Sequence, residues 1–157
     1  LDNTIFNITP CFNDFEKHFA QFLDHANDIT KFAKLAETYT KFSIEYINHK
    51  GAIAYYYPDF VAEQKTGEDI IMWLIETKGW EQKDVPLKDA RAERWCEDAT
   101  KLTGVKWRYL KVPYSPYMGI TKSLTSMPSA TFGEFLETLR RGLTDDQVEL
   151  KEGENDN

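Results

Sequence analysis

The sequence predicts an α/β fold in which helices flank a mixed sheet: a helix, three antiparallel strands, a helix and a strand, with an additional C-terminal helix. Three observations carry it. Residues 13–26 repeat apolar side chains at helical spacing. The run Ile70-Ile71-Met72-Trp73-Leu74-Ile75, leading into Glu76-Thr77-Lys78 and closed by Gly79, is the length and composition of a buried strand. A helical pattern then separates this strand from the next, which implies a right-handed parallel crossover.

Taken in order, Asn13 to Ala26 forms an amphipathic helix with Phe15, Phe19, Phe22 and Ala26 on one face and Asn13 as its N-cap. Ile29 to Thr38 is expected as a second, shorter helix. Lys41 to Ile47 alternates as a strand, and Asn48-His49-Lys50-Gly51 turns the chain into a further strand from Ala52 to Ala62. Glu63 to Asp69 reads as a hairpin loop with Gly67 at the position of unusual φ, leading into the Ile70 strand. Pro58 lacks the ladder donor and implies an edge or a bulge beside Asp59. Asp84 is placed to cap a helix from about Pro86 to Leu102, with Pro86 tolerated in the first turn and Gly104 just past the end. Lys106 to Val112 is the next strand. Thr131 to Gly142 is the last helix, opened by a Thr131/Glu134 capping box.

Composition bounds the function. A chain of 157 residues, 41% hydrophobic and 14% aromatic, has the length and apolar content of one globular domain. We read 1–143 as that domain and 144–157 as an acidic, disordered tail. The tail carries six acids against Lys151, so it holds −5 of the net −7, leaving −2 on the rest. From Lys78 to Lys111 the balance reverses to nine basic residues against six acidic. That surface favours weak, salt-sensitive nucleic-acid binding, with other parts of a larger protein supplying most of the affinity. No apolar run has membrane length, and the start has neither the basic region nor the apolar core of a signal peptide. The expected setting is cytoplasmic, and the missing initiator Met suggests a fragment or a processed chain. Cys11 and Cys96 form no CxxC pair, and His18, His25 and His49 have no metal-ligand spacing, so zinc and disulfide frameworks are disfavoured.

The chemistry lies in Tyr57-Pro58-Asp59-Phe60 and, 17 residues past Asp59, Glu76-Thr77-Lys78-Gly79. On a strand, Glu76 and Lys78 leave the same face about 6.6 to 6.8 Å apart. Thr77 points away, with its main-chain carbonyl still able to reach a cation. The hairpin would bring Asp59 beside Glu76. Two carboxylates able to hold a hard divalent metal, with an ammonium beside them, are what metal-assisted phosphodiester hydrolysis requires.

These residues resemble the PD-(D/E)xK nuclease superfamily, and more narrowly the C-terminal endonuclease domain of type III restriction enzyme Res subunits and related helicase-linked nucleases. The resemblance spans about Phe12 to Pro113 and is carried by Tyr55-Tyr56-Tyr57-Pro58-Asp59-Phe60-Val61, Trp73-Leu74-Ile75-Glu76-Thr77-Lys78-Gly79, Lys88 through Trp95-Cys96-Glu97-Asp98-Ala99, and Trp107-Arg108-Tyr109-Leu110-Lys111-Val112-Pro113. It implies a restriction-endonuclease-like αβββαβ core and a Mg²⁺-dependent endonuclease of double-stranded DNA, with Mn²⁺ as a substitute. Asp59, Glu76 and the Thr77 carbonyl would be metal ligands, Glu16 a further candidate from the first helix, and Lys78 the residue that orients water or stabilises the transition state. By the same resemblance, an ATP-using superfamily 2 helicase motor precedes the domain and a modification methyltransferase subunit reads the sequence. This chain has no phosphate loop of its own to hold ATP.

Each residue also has a structural reading. Asp59 ends a strand or turn, Glu76 and Lys78 are polar residues where a strand emerges into solvent, and Asn13-x-x-Glu16 fits a helix cap. Together, a carboxylate at the end of each of two neighbouring strands would repel unless a cation or the nearby lysine compensates. Lys88 and Arg91, at the start of the helix after the Glu76 strand, are candidates for phosphate contact, Arg91 the weaker. Trp95 and Cys96 lie at core spacing with Ala92, Ala99 and Leu102. Two other functions compete: a catalytically silent DNA-binding or interaction domain of a helicase, and a DNA-repair nuclease of the same fold.

Overall fold

The computed structural model describes residues 2–5, 11, 13–78, 84–114, 117, 119 and 130–152, with the backbone alone at 78 and 143–152. The elements are α1 (Asp14–His25), β1 (Ile29–Lys34), α2 (Glu37–Thr40), β2 (Ile44–Ile47), β3 (Ile53–Tyr56), β4 (Phe60–Thr66), β5 (Asp69–Lys78), α3 (Val85–Thr103), β6 (Lys106–Pro113) and α4 (Phe132–Glu152). Four strands form a mixed sheet in the order β1-β4-β5-β6, and β2 and β3 pair separately as a hairpin. The β1/β4 and β4/β5 pairs are antiparallel; β5/β6 is parallel and is joined through α3. Helices flank this mixed sheet.

Alternation along β5 divides the core. Trp73 and Ile75 join Phe15, Phe19 and Leu23 of α1, Phe60 of β4 and Phe132, Phe135 and Leu139 of α4. Leu74 leaves the other face, to Ile44, Tyr46 and Tyr56 of the hairpin and Ala92 and Cys96 of α3. Phe19, Phe60, Phe132 and Phe135 are wholly buried, and each such ring contributes roughly 1.5 to 3 kcal/mol of burial, enough to seat both helices. Trp95 and Cys96 pack as their spacing predicts. Trp95 meets Phe42 and Trp107 edge to face, and burial pushes the Cys96 thiol up to about 12, with Glu93 adding to it, which leaves an inert thiol.

The helix expected over Ile29–Thr38 is instead β1 followed by the single turn of α2. A bulge explains the misreading. The pairing with β4 slips between Ile29 and Lys31, so Ile29 and Phe32 enter one core although three residues apart, imitating a helical period. The strand expected from Ala52 to Ala62 is broken at Tyr57-Pro58-Asp59. Its first part, β3, pairs with β2, and its second, β4, lies between β1 and β5. The antiparallel set of the main sheet is therefore β1, β4 and β5, and the Lys41–Ile47 segment supplies β2, outside that sheet. The hairpin loop is also shorter than expected: β4 and β5 pair out to Thr66 and Asp69, and Gly67 turns the chain at φ 62°.

Helix ends follow their signals except at the start of α3 and the end of α4. Gly104 stops α3 at φ 70°, donating to the Thr100 carbonyl at 3.0 Å. Asp84 precedes α3, but its side chain does not cap it; it turns back to His49 at the hairpin tip, accepting from the His49 amide at 3.1 Å with Nδ1 at 2.6 Å. The α4 terminus is fully partnered. Asp28 accepts from the amides of Phe132 at 2.6 Å and Gly133 at 2.9 Å, the Thr131 hydroxyl accepts from Glu134 at 3.1 Å, and the Thr131 carbonyl takes Phe135 at 3.1 Å. Glu134 closes the expected capping box by accepting from the Thr131 amide at 2.8 Å. Asp28 also accepts from Gln64 Nε2 at 2.8 Å, and Gln64 in turn accepts from Trp73 Nε1 at 2.9 Å, so one carboxylate ties α4 to β4 and β5. The helix runs past the Gly142 end read from the sequence to Glu152, and residues 153–157 of the acidic tail lie outside the described residues. No helix among the described residues is long and apolar enough to cross a membrane.

Candidate active site

Asp59 stands where the chain passes from the hairpin into the main sheet. Pro58 has no amide to donate. Asp59 donates its own to the Ile75 carbonyl at 2.9 Å, one residue out of the Phe60↔Ile75 register. The step aims the Asp59 carboxylate at the end of β5. Oδ2 accepts from the Thr77 amide at 2.8 Å and the Thr77 hydroxyl at 2.7 Å. The structure thus brings the acid against the Glu76-Thr77-Lys78 segment. It does so through Thr77, whose hydroxyl points away from the Glu76 face as strand alternation requires.

On that side of the sheet, Asp59 Oδ1 accepts from Lys34 Nζ at 2.9 Å, and the same ammonium lies 3.4 Å from Glu16 Oε2. Lys34 ends β1, is 2% exposed, and sits 5.0 Å from the Phe60 ring centroid. Glu16 is buried and serves twice. Its amide donates to Asn13 Oδ1 at 2.8 Å and its Oε1 accepts from Asn13 Nδ2 at 3.3 Å, so the capping arrangement and the approach to Asp59 coexist in one residue.

Glu76 leaves the opposite face, where its Oε2 accepts from the Tyr56 hydroxyl at 2.9 Å. Burial, and then the Glu76 charge, push the Tyr56 phenol far above its ordinary range, so Tyr56 remains a donor. Its oxygen lies 3.5 Å from that of Tyr109, which donates to Asp89 at 2.8 Å, and Lys111 donates to the other Asp89 oxygen at 2.8 Å. Glu76 therefore sits at one end of a polar row joining β3, β5, β6 and α3. Of Lys78 the structure describes the backbone, at the end of β5 opposite Pro113; its side chain and Gly79 lie outside the described residues.

Lys88 and Arg91, the two candidates for phosphate contact, are both engaged with the hairpin. Lys88 Nζ lies 5.8 Å from the Tyr46 ring centroid, and Arg91 Nε donates to the Glu45 carbonyl at 3.0 Å. Sequence reasoning missed Lys34, Tyr56, Tyr109, Asp89 and Lys111 as members of these networks. Lys34 fell in a segment assigned to a helix. Tyr56, Tyr109 and Lys111 lay inside quoted motifs without a role.

The donor set of Asp59, Glu76 and the Thr77 carbonyl is all oxygen, the chemistry that suits a hard divalent cation rather than zinc. Its arrangement is not an open cage. Among the described residues no three acid, histidine or cysteine side chains converge, because Glu16 and Asp59 close on Lys34 while Glu76 turns to Tyr56. No family model, no curated protein and no solved structure matches the chain.

Proposed function

We propose that this chain is a metal-dependent DNA endonuclease domain with a restriction-endonuclease-like αβββαβ core, acting in the cytoplasm as part of a larger ATP-dependent type III restriction enzyme Res subunit. The observation that carries the reading is the contact of Asp59 with the Thr77 amide and hydroxyl, which joins the two halves of the motif across 18 residues. The sheet supports it: antiparallel β1, β4 and β5, then a helix and a parallel β6, is the order the resemblance calls for.

In this reading Asp59, Glu76 and the Thr77 carbonyl would hold Mg²⁺ or Mn²⁺ once Glu76 left Tyr56 and turned round the end of β5 toward Asp59. When bound, such an ion supplies Lewis acidity at a phosphate oxygen and a more acidic water. Thr77 fixes the rotamer of Asp59, Tyr56 holds Glu76 on the opposite face until it turns, and Lys78 provides a mobile positive charge for water or the transition state. Lys88 and Arg91 would turn from their hairpin contacts to the DNA backbone. The motor domain that uses ATP and the modification methyltransferase belong to the rest of the assembly.

A second reading has its own observation. Asp59 already accepts three hydrogen bonds, one of them from an ammonium, as expected of a silent DNA-binding or interaction domain that keeps the fold. Nicking of supercoiled plasmid at low salt in Mg²⁺ and in Mn²⁺, beside Lys78→Ala, separates the two. Metal-dependent nicking that falls roughly 10² to 10³-fold in the variant supports the nuclease. Absence of nicking, together with normal ATP-driven cleavage by a full-length parent carrying Lys78→Ala, refutes it.

A further inference from the structure

Lys34 is a charged side chain buried at the edge of the core. It comes from β1, its partners come from α1 and from the β3–β4 link, and it is 2% exposed. Removing an ammonium from water is strongly unfavourable unless charges of opposite sign surround it. Here Asp59 Oδ1 at 2.9 Å and Glu16 Oε2 at 3.4 Å do so, with the face of Phe60 at 5.0 Å. The two carboxylates that converge in this region thus do so on a cation supplied by the chain itself.

We propose that Lys34 is the resident counter-cation of this site: its ammonium takes the place of a divalent ion between Glu16 and Asp59 and so limits how tightly, and how many, metal ions bind. The proposal rests on the reading of Asp59 as a metal ligand and extends it. A dication brought to Asp59 meets the positive charge already bonded to Oδ1, and like charges at that range repel most strongly where water is excluded. Glu16 is turned from a ligand into a partner of the lysine, which among the described residues leaves Asp59 as the one carboxylate on this side of β5 that could still meet an ion, since Glu76 turns to Tyr56 on the other. Lys34 is a positioning residue here, since it acts through the carboxylates.

The test is Mn²⁺ titration, read by loss of the free-ion paramagnetic resonance signal and by melting temperature against Mn²⁺ concentration, on wild type, Lys34→Met, Lys34→Arg and the double variant Lys34→Met/Glu16→Gln. Lys34→Met keeps the aliphatic stem, is expected to bind Mn²⁺ on the order of ten-fold more tightly or to gain one ion, and melts higher as Mn²⁺ rises. Lys34→Arg should titrate as wild type, and Glu16→Gln should abolish the gain. A folded Lys34→Met that titrates as wild type overturns the proposal. So does a Lys34→Met that stays unfolded at every Mn²⁺ concentration, because its carboxylates have then not exchanged ammonium for metal. If wild type nicks no DNA and the full-length parent cleaves normally with Lys78→Ala, while Lys34→Met gains the ion, the nuclease reading fails and the role of Lys34 stands; nicking by wild type without that gain gives the reverse.

Discussion

Replacing Asp28 with alanine tests how α4 is held to the sheet. The substitution removes the acceptor for the first two amides of α4, at 2.6 and 2.9 Å, and for the Gln64 amide at 2.8 Å. Loss of an N-terminal cap costs about 1 kcal/mol, and loss of the negative charge at a helix start about 0.5 kcal/mol more. Gln64 is 4% exposed, so its stranded donor adds roughly 1 to 3 kcal/mol. The sum is about 2.5 to 4.5 kcal/mol, or roughly 5 to 18 °C in melting temperature for a chain of this size. Thr131 cannot compensate, because its hydroxyl and carbonyl already serve Glu134 and Phe135. Urea unfolding followed by tryptophan fluorescence gives the difference directly, provided the slope with denaturant is unchanged. Asp28→Asn, which keeps one acceptor oxygen, should lose about half as much. An Asp28→Ala protein within about 0.5 kcal/mol of wild type would refute the reasoning, since that is the range of an ordinary surface substitution.

Two further predictions concern pH. The His49 hydrogen bond holds the Asp84 carboxyl below its ordinary 3.8; a group with a lowered folded value stabilises above its unfolded value and loses that contribution as pH falls through the folded one. The difference in melting temperature between wild type and Asp84→Asn should therefore shrink as pH falls below the usual aspartate range. A difference independent of pH down to complete acid unfolding would count against the His49 contact. Burial raises the phenols of Tyr56, Tyr109 and Tyr117, with the Glu76 charge adding at Tyr56 and Asp89 at Tyr109. Their stabilising effect is complete below pH 10 and lost above it, so absorbance titration should show these phenols ionising only together with alkaline unfolding. Ionisation of Tyr56 or Tyr109 in the folded protein would show that the polar row behind Glu76 is open to solvent.

The helices α1, α3 and α4 and the strands β5 and β6 were legible because their signals are local: a periodic apolar face, a continuous apolar run, an Asn or Thr cap, a glycine stop at Gly104. Where the chain departs from regular geometry, local signals mislead. The bulge after Ile29 gave a strand the spacing of a helix, and Pro58, rightly read as an edge or a bulge, also marks the point where the chain leaves one sheet for another. The two motifs led to Asp59 being expected beside Glu76; it meets Thr77 instead, whose amide and hydroxyl make the contact although only its carbonyl had been given a role, and Glu76 leaves the opposite face. Lys34 and Asp59 are 25 residues apart and Asp84 and His49 are 35 apart; such pairings depend on register and on hairpin docking, which no short window of sequence contains.

The division of the core by β5 gives each layer its own optical signature. Trp73 lies in the layer shared by α1 and α4, its indole nitrogen bonded to Gln64 and its ring edge to face with Phe132 at 5.5 Å. Trp95 and Trp107 lie in the layer of α3, edge to face with each other at 5.1 Å and close enough for their transitions to couple. Near-ultraviolet circular dichroism should therefore carry a paired-indole couplet from one layer, and the emission of a variant retaining Trp73 as its only indole should report the other. Recorded along one thermal ramp, the two signals reveal whether the layer that carries Glu16, Lys34 and Asp59 melts with the layer that holds Glu76 or before it.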